Sequence, residues 1–200
     1  MIVEKIVIGE FYENCYIVGC EKTKKAVIID PGGEGGKIKS FIKEKRLIPQ
    51  FIINTHGHID HIRANDQFNL PVYIHEFDRE YLTDPVKNLS SFFPPQYVFK
   101  GEVITIKEGE KIEVGSLSFE IIHTPGHTPG SICLKTGNIV FTGDTLFAGG
   151  VGRTDFPGGD ENILFSSIRE KLFTLPEEII IYPGHGPSST IGDEKREMGG

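Results

Sequence analysis

Three β-branched runs stand close together at the start of the chain, "IVEKIVIG", "CYIVGC" and "KAVIID". The breaks between them, "EFYEN" and "EKTKK", are too short to hold the crossover that parallel strands need. Strands joined so tightly pair as an antiparallel meander. The arrangement returns later, where "VITI", "KIEV", "LSFEIIHT", "SICLKT" and "NIVFTG" follow one another, with Gly137-Asn138 as a hairpin turn. A single doubly wound sheet needs a crossover helix between most strands. The two meanders therefore predict two sheets packed together with helices outside, an α/β (α+β) architecture.

Helical spacing falls between and after the meanders. Ile38, Phe41, Ile42 and Leu47 stripe one predicted helix. "DENILFSSIREKLFTLP" predicts another, with Asp160 as its N-cap and Ile163, Leu164, Ile168 and Leu172 turned inward. "QFIIN" and "EIIIYPGHG" read as buried strands that each deliver the chain to a histidine, while "PVYIH" and "EFDREYL" read as a strand and a short helix. Residues 83–100 hold three prolines and little periodicity, the signature of a functional flap or of a plain surface loop. Within them, Phe92, Phe93 and Tyr97 either wall a pocket or pack into the core. A length of 200 residues fits one domain spanning 1–200.

Charge and composition exclude several roles. A net charge of -7 argues against a nucleic-acid surface, and the basic run Lys37 to Arg46 reads as the solvated face of a helix. No apolar stretch approaches a membrane span, and "MIVEKIVIGE" lacks the features of a signal peptide, so a cytoplasmic location is expected. Cys15, Cys20 and Cys133 are odd in number and form no Cys-x-x-Cys pair, which predicts buried free thiols.

The chemistry sits in the punctuation after the strands. Of seven histidines in the chain, three fall with an aspartate inside "HGHIDH": His56, His58, Asp60 and His61. Further along, "LSFEIIHT" leads to His127, "NIVFTG" to Asp144 and "EIIIYPG" to His185. Alone, His185 would be an ordinary hydrogen-bonded histidine and Asp144 a turn former. Beside the clustered hexapeptide they become candidate ligands. Imidazole and carboxylate without cysteine suit zinc, iron or manganese. Seven candidates exceed one four-coordinate site, which points to two divalent metal ions, zinc foremost. His75 and His123 complete no shell and are read as structural. Arg153, in "FAGGVGRTDFPGGD", would either bind a substrate carboxylate or pair with Asp155 or Asp160.

In order, His56-x-His58-x-Asp60-His61, His127, Asp144 and His185 resemble the metallo-β-lactamase superfamily across nearly the whole chain. The resemblance implies a four-layer αββα sandwich with a dinuclear site at the sheet edges. It also implies an allocation: His56, His58 and His127 on one metal, Asp60, His61 and His185 on the other, and Asp144 bridging. True β-lactamases fit poorly, because they often replace the residue matching His61 and commonly carry cysteine where Asp144 stands. The nucleic-acid-processing branches carry an insertion for which 200 residues leave no room. "GDTLFAGGVGRTDFPGGD" and "YPGHGPSSTIGDEKRE" look most like the short glyoxalase II-like (hydroxyacylglutathione hydrolase-like) proteins, without the C-terminal helical domain of full-length glyoxalase II.

What this implies is hydrolysis of a small-molecule thioester of the S-lactoylglutathione type by a metal-bridged hydroxide, with Asp60 orienting it or taking its proton. Coordination lowers the pKa of such a water to about 7. No general acid stands out beyond the ligand set, which suits a thiolate that leaves unprotonated. The alternatives are a persulfide dioxygenase with one iron, which the Gly-Arg-Thr-Asp-Phe stretch also resembles, a lactonase or other esterase on the same scaffold, and a non-enzymatic metal-binding module.

Overall fold

The structure is a computed structural model and describes residues 1–199. The first runs form β1 (Ile2–Ile8), β2 (Glu13–Gly19) and β3 (Lys25–Ile29), antiparallel as their short connections require. Helix α1 (Gly35–Glu44) then carries the chain across the sheet, so that β4 (Ile48–Ile53) joins β3 in parallel. After the single turn of α2 (Ile59–Ile62), β5 (Val72–His75) and β6 (Val103–Ile106) add in parallel, giving the order β1-β2-β3-β4-β5-β6.

One local expectation changes here. "VITI" is β6, at the edge of the first sheet, and does not open the second meander. The long connection after β5 gives the chain room to return parallel to it. A turn closed by Glu110 N–H on the Lys107 carbonyl, at 3.2 Å, then hands the chain to the other sheet. "EFDREYL" is a 3-10 helix over Glu76–Leu82.

The second sheet begins as the predicted meander: β7 (Lys111–Val114), β8 (Leu117–His123), β9 (Ile132–Thr136) and β10 (Ile139–Gly143). Gly137 takes the positive φ, 57°, that the tight β9–β10 turn requires. A small hairpin, β11 (Leu146–Phe147) with β12 (Gly150–Val151), and helix α3 (Glu161–Ser167) precede β13 (Ile180–Pro183). β13 lies parallel to β10, and β14 (Ser189–Thr190) and α4 (Ile191–Glu197) finish the layer.

Strand periodicity explains the layers. Ile28 points outward to Ile38 and Ile42 of α1, whereas Val27 and Ile29 point inward, toward Phe119, Ile121, Leu134 and Phe141 of the other sheet. On the far side, Cys133 and Val140 pack with Leu164, Ile168, Leu172 and Ile191. Sheets covered on both faces read as continuous apolar runs, as these do. The result is the αββα sandwich. All three cysteines are free and buried.

Asp160 caps α3, accepting from Ile163 N–H at 3.0 Å. Ile163 itself does not face inward: it is 47% exposed, while Leu164, Ile168 and Leu172 are fully buried. Those three lie four residues apart on one stripe, and Ile163 sits a residue off it, about 100° around the helix. Tyr97 packs into the core, Phe93 walls a cavity, and Phe92 stands 67% exposed. No helix among the described residues is long and apolar enough to cross a membrane.

Candidate metal centre

Strands β8, β10 and β13 run in one direction, so their carboxyl ends share one edge of the second sheet. Across the sandwich, β4 ends beside them. The seven candidate residues leave from these ends, and the fold brings them all together in three groups whose ligand atoms lie within 4.8 Å of one another. His56, His58 and His127 form one group, and Asp60, His61 and His185 another. The third joins His56, His61 and Asp144.

Distances show how closely the atoms converge. His127 Nε2 lies 2.9 Å from His58 Nδ1 and 3.2 Å from His56 Nε2. His185 Nε2 lies 3.3 Å from Asp60 Oδ2, and His61 Nε2 lies 3.8 Å from the same oxygen. Asp144 spans the groups: Oδ1 is 3.3 Å from His61, and Oδ2 is 3.7 Å from His127 and 3.6 Å from His185.

The opposite edges of the rings explain why these nitrogens face inward. His61 Nδ1–H donates to Asp30 Oδ2 at 3.0 Å, and His127 Nδ1–H to the Arg153 carbonyl at 2.6 Å. His185 Nδ1–H donates to the Phe11 carbonyl at 3.1 Å. His56 Nδ1 lies 3.2 Å from Thr55 Oγ1, whose own proton goes to Asp30 at 2.6 Å. Each of these contacts turns Nε2 into the cluster, the orientation metal-ligating histidines use. His58 is turned the other way, with Nδ1 inward.

Buried polar atoms test whether the residues fit divalent ions. His61 Nε2 and Asp144 Oδ1 are buried and face each other at 3.3 Å without making a hydrogen bond, so both lack the close partner that a divalent ion would be. Tetrahedral Zn–N bonds of about 2.0–2.1 Å place neighbouring nitrogens about 3.3 Å apart, close to the spacings here. The donor set fits.

Electrostatics divides the cluster. Burial, reinforced by the neighbouring imidazoles, pushes His56 well below its ordinary value and His58 down to about 3, so both are neutral donors. Burial would lower His61 as well, but Asp144, Asp60 and Asp30 overcome it and push it well above. Burial would raise Asp144 and Asp60, yet His61 holds both below the usual carboxylate range. The carboxylate side thus demands positive charge, which a cation would provide.

Sequence reasoning missed the residues that brace the loops. Asp30 accepts from Thr55 N–H at 2.8 Å as well as from Thr55 Oγ1 and His61. Asp78 accepts from Gly57 N–H (2.9 Å), Thr128 Oγ1 (2.7 Å) and Gly130 N–H (2.7 Å), tying the "THGH" loop to the "GHTPG" loop. Burial raises Asp78 to about 6 against the pull of those donors. Asn14 and Tyr16 of β2 hold the Pro183 carbonyl at 2.9 and 2.6 Å, fixing the loop that carries His185. Asp30 carried a signal, since it ends "KAVIID" as the candidate ligands end their strands; Asp78 carried none.

Arg153 pairs with Asp155 through two 2.7 Å bonds and stacks over Phe156 at 4.0 Å. Asp160 is not its partner. His75 and His123 lie outside all three groups and stack on each other, ring centroids 3.9 Å apart. Above the cluster opens a cavity of about 400 Å³ with Phe11, Ile59, Leu89, Phe93, Phe147, Val151 and Phe156 in its walls.

The sequence profile of the metallo-beta-lactamase superfamily matches residues 8–185. A hydroxyacylglutathione hydrolase, GloC, of Haemophilus influenzae is 38% identical, covering 98% of this chain and 96% of its own. Among solved structures, the BLEG-1 B3 metallo-beta-lactamase superposes with a TM-score of 0.91 at 37% identity, over 98% of this chain and 97% of its own. TTHA1623 in a di-iron-bound form gives 0.85 at 36% identity, with 98% of each chain covered. Motif, layer order and matched length agree, and the chain belongs to the metallo-beta-lactamase superfamily.

Proposed function

We propose that the protein is a dinuclear metal-dependent hydrolase that cleaves thioesters of the hydroxyacylglutathione type. His56, His58 and His127 would hold one divalent ion, Asp60, His61 and His185 the other, and Asp144, whose two oxygens face both groups, would join them. When bound, the ions supply an activated water and polarise the substrate carbonyl. Zinc is the first expectation, and the di-iron relative makes iron the second.

The observation that carries the reading is the cavity lining. Apart from the clustered residues and Arg153, no ionisable side chain among the described residues lines it. An amide nitrogen needs a proton to depart, whereas a thiolate does not. Asp60 Oδ2, 3.3 Å from His185 Nε2, would orient the water or take its proton. The apolar walls exclude bulk water and cradle a small acyl group. Arg153, at the cavity wall, is where a substrate carboxylate would find a cation once Asp155 yields it. Similarity to the Haemophilus influenzae hydrolase supports the same substrate class.

Metal analysis of protein purified without added metal, run beside a thioester panel, tests this. Two ions per chain with turnover of S-lactoylglutathione are expected. One iron per chain with oxygen consumed on glutathione persulfide would refute the hydrolase. The likeness to BLEG-1 favours one second reading, β-lactam hydrolysis. Turnover of a chromogenic cephalosporin with indifference to thioesters would select it.

A further inference from the structure

On the other side of Asp60 lies a second cavity, of about 490 Å³, in which the metal clusters take no part beyond Asp60 itself. Glu13 of β2 lines it, is 1% exposed, and neither carboxylate oxygen has a hydrogen-bond partner among the described residues. A buried carboxylate without a partner is among the most costly arrangements in a protein interior. Glu13 also belongs to none of the clusters with metal-ligand spacing.

The surroundings indicate what would satisfy it. Glu10 and Glu34 line the same cavity, and the one basic residue there among the described residues, Arg63, gives a guanidinium N–H to the Phe93 carbonyl at 2.7 Å. Phe11, Phe92 and Phe93 supply aromatic surface, which attracts organic cations through the ring faces. Gly9 and Gly32 flank the carboxylate, and a Cβ on either would press against Glu13 Oε1. Phe11 and Phe93, packed edge to face at 5.0 Å, and Asp60 border both cavities. A ligand seated over the metal centre would have to pass this pair to reach Glu13.

We propose that Glu13, with Phe11, Phe92 and Phe93, forms a subsite for a primary ammonium carried on the thiol arm of the substrate. The word "arm" rests on the thioester reading above; the ammonium site does not. Calorimetric titration with S-methylglutathione, an inert thioether, and with its N-acetyl derivative, which lacks the ammonium, separates the two. Wild type is expected to bind the free amine about tenfold more tightly, as one charge-assisted contact provides. Glu13→Gln should reduce that preference below about threefold while retaining the bound metal. Phe92→Ala, at an exposed rim position, should weaken the free amine more than the blocked one.

Equal binding of both probes by wild type, or no binding at millimolar concentration, overturns the proposal. So does a Glu13→Gln variant that keeps the full preference, weakens both probes alike, or loses a metal ion. An intact amine preference in a protein that hydrolyses no thioester would sink the proposed activity and leave the subsite standing.

Discussion

Asp30→Asn changes one atom of a buried side chain and should disturb both halves of the metal centre. Asp30 Oδ2 accepts from His61 Nδ1–H at 3.0 Å and from Thr55 Oγ1–H at 2.6 Å. Thr55 Oγ1 in turn faces His56 Nδ1 at 3.2 Å. One carboxylate oxygen thereby sets the tautomer of a histidine in each proposed ligand group. With asparagine, the amide nitrogen must occupy one of the two positions. Thr55 N–H, at 2.8 Å from Oδ1, holds the carbonyl on that side, so the NH2 group faces His61. Two donors then oppose each other unless His61 moves its proton to Nε2, which removes the lone pair offered to a metal. Loss of such an outer partner typically costs 10–100-fold in metal affinity, about 1.4–2.7 kcal/mol. Chelator-competition titration of the metal-free protein, with circular dichroism to verify folding, measures it. Thr55→Val cuts the relay to His56 and leaves the direct Asp30–His61 bond, so it should weaken one metal equivalent rather than two. A folded Asp30→Asn variant that binds both equivalents within threefold of wild type would refute the tautomer argument.

Other outcomes follow from the packing and the charges. Asp78→Ala strands three donors from two loops, which should lower stability by about 3 kcal/mol and be visible as a reduced urea midpoint. Leu164→Ala should cost about 2–4 kcal/mol, whereas Ile163→Ala, one residue away but 47% exposed, should cost well under half that; similar losses would contradict the placement of the α3 stripe. His75 is held down to about 4, below its ordinary value of 6.5, by burial and then by His123. The native state therefore binds that proton less readily than the unfolded chain, so stability is intact above about pH 6.5 and falls as the pH drops toward 4. Allowing for partial solvent screening, urea denaturation of metal-free protein should show wild type losing about 1–2 kcal/mol more than His75→Phe between pH 7.5 and 4.5. Parallel pH profiles would show that the imidazole stack carries no such linkage.

Much of the fold and the candidate cluster was legible because it is written in short spacings. The β-branched runs alternate faces on their own, and tight breaks force antiparallel pairing whatever lies elsewhere. His56, His58, Asp60 and His61 lie on one strand end and one helical turn, so their clustering needs no tertiary contact. Asp160 caps a helix whose amide is three residues away. Sequence therefore determined the layers, the candidate ligands and the strand ends that carry them. Tertiary structure decided the rest. His61 meets Asp30 only because β3 and β4 lie side by side in parallel register. Arg153 orients His127 through its backbone carbonyl, an atom every residue has and no motif can mark. β6 joined the first sheet because pairing depends on which edge is free, and Glu13 became a buried carboxylate because β2 lies beneath residues far along the chain. Local chemistry is readable wherever the partners are neighbours in the chain. Where they are brought together by register and sheet packing, only the folded coordinates hold the information.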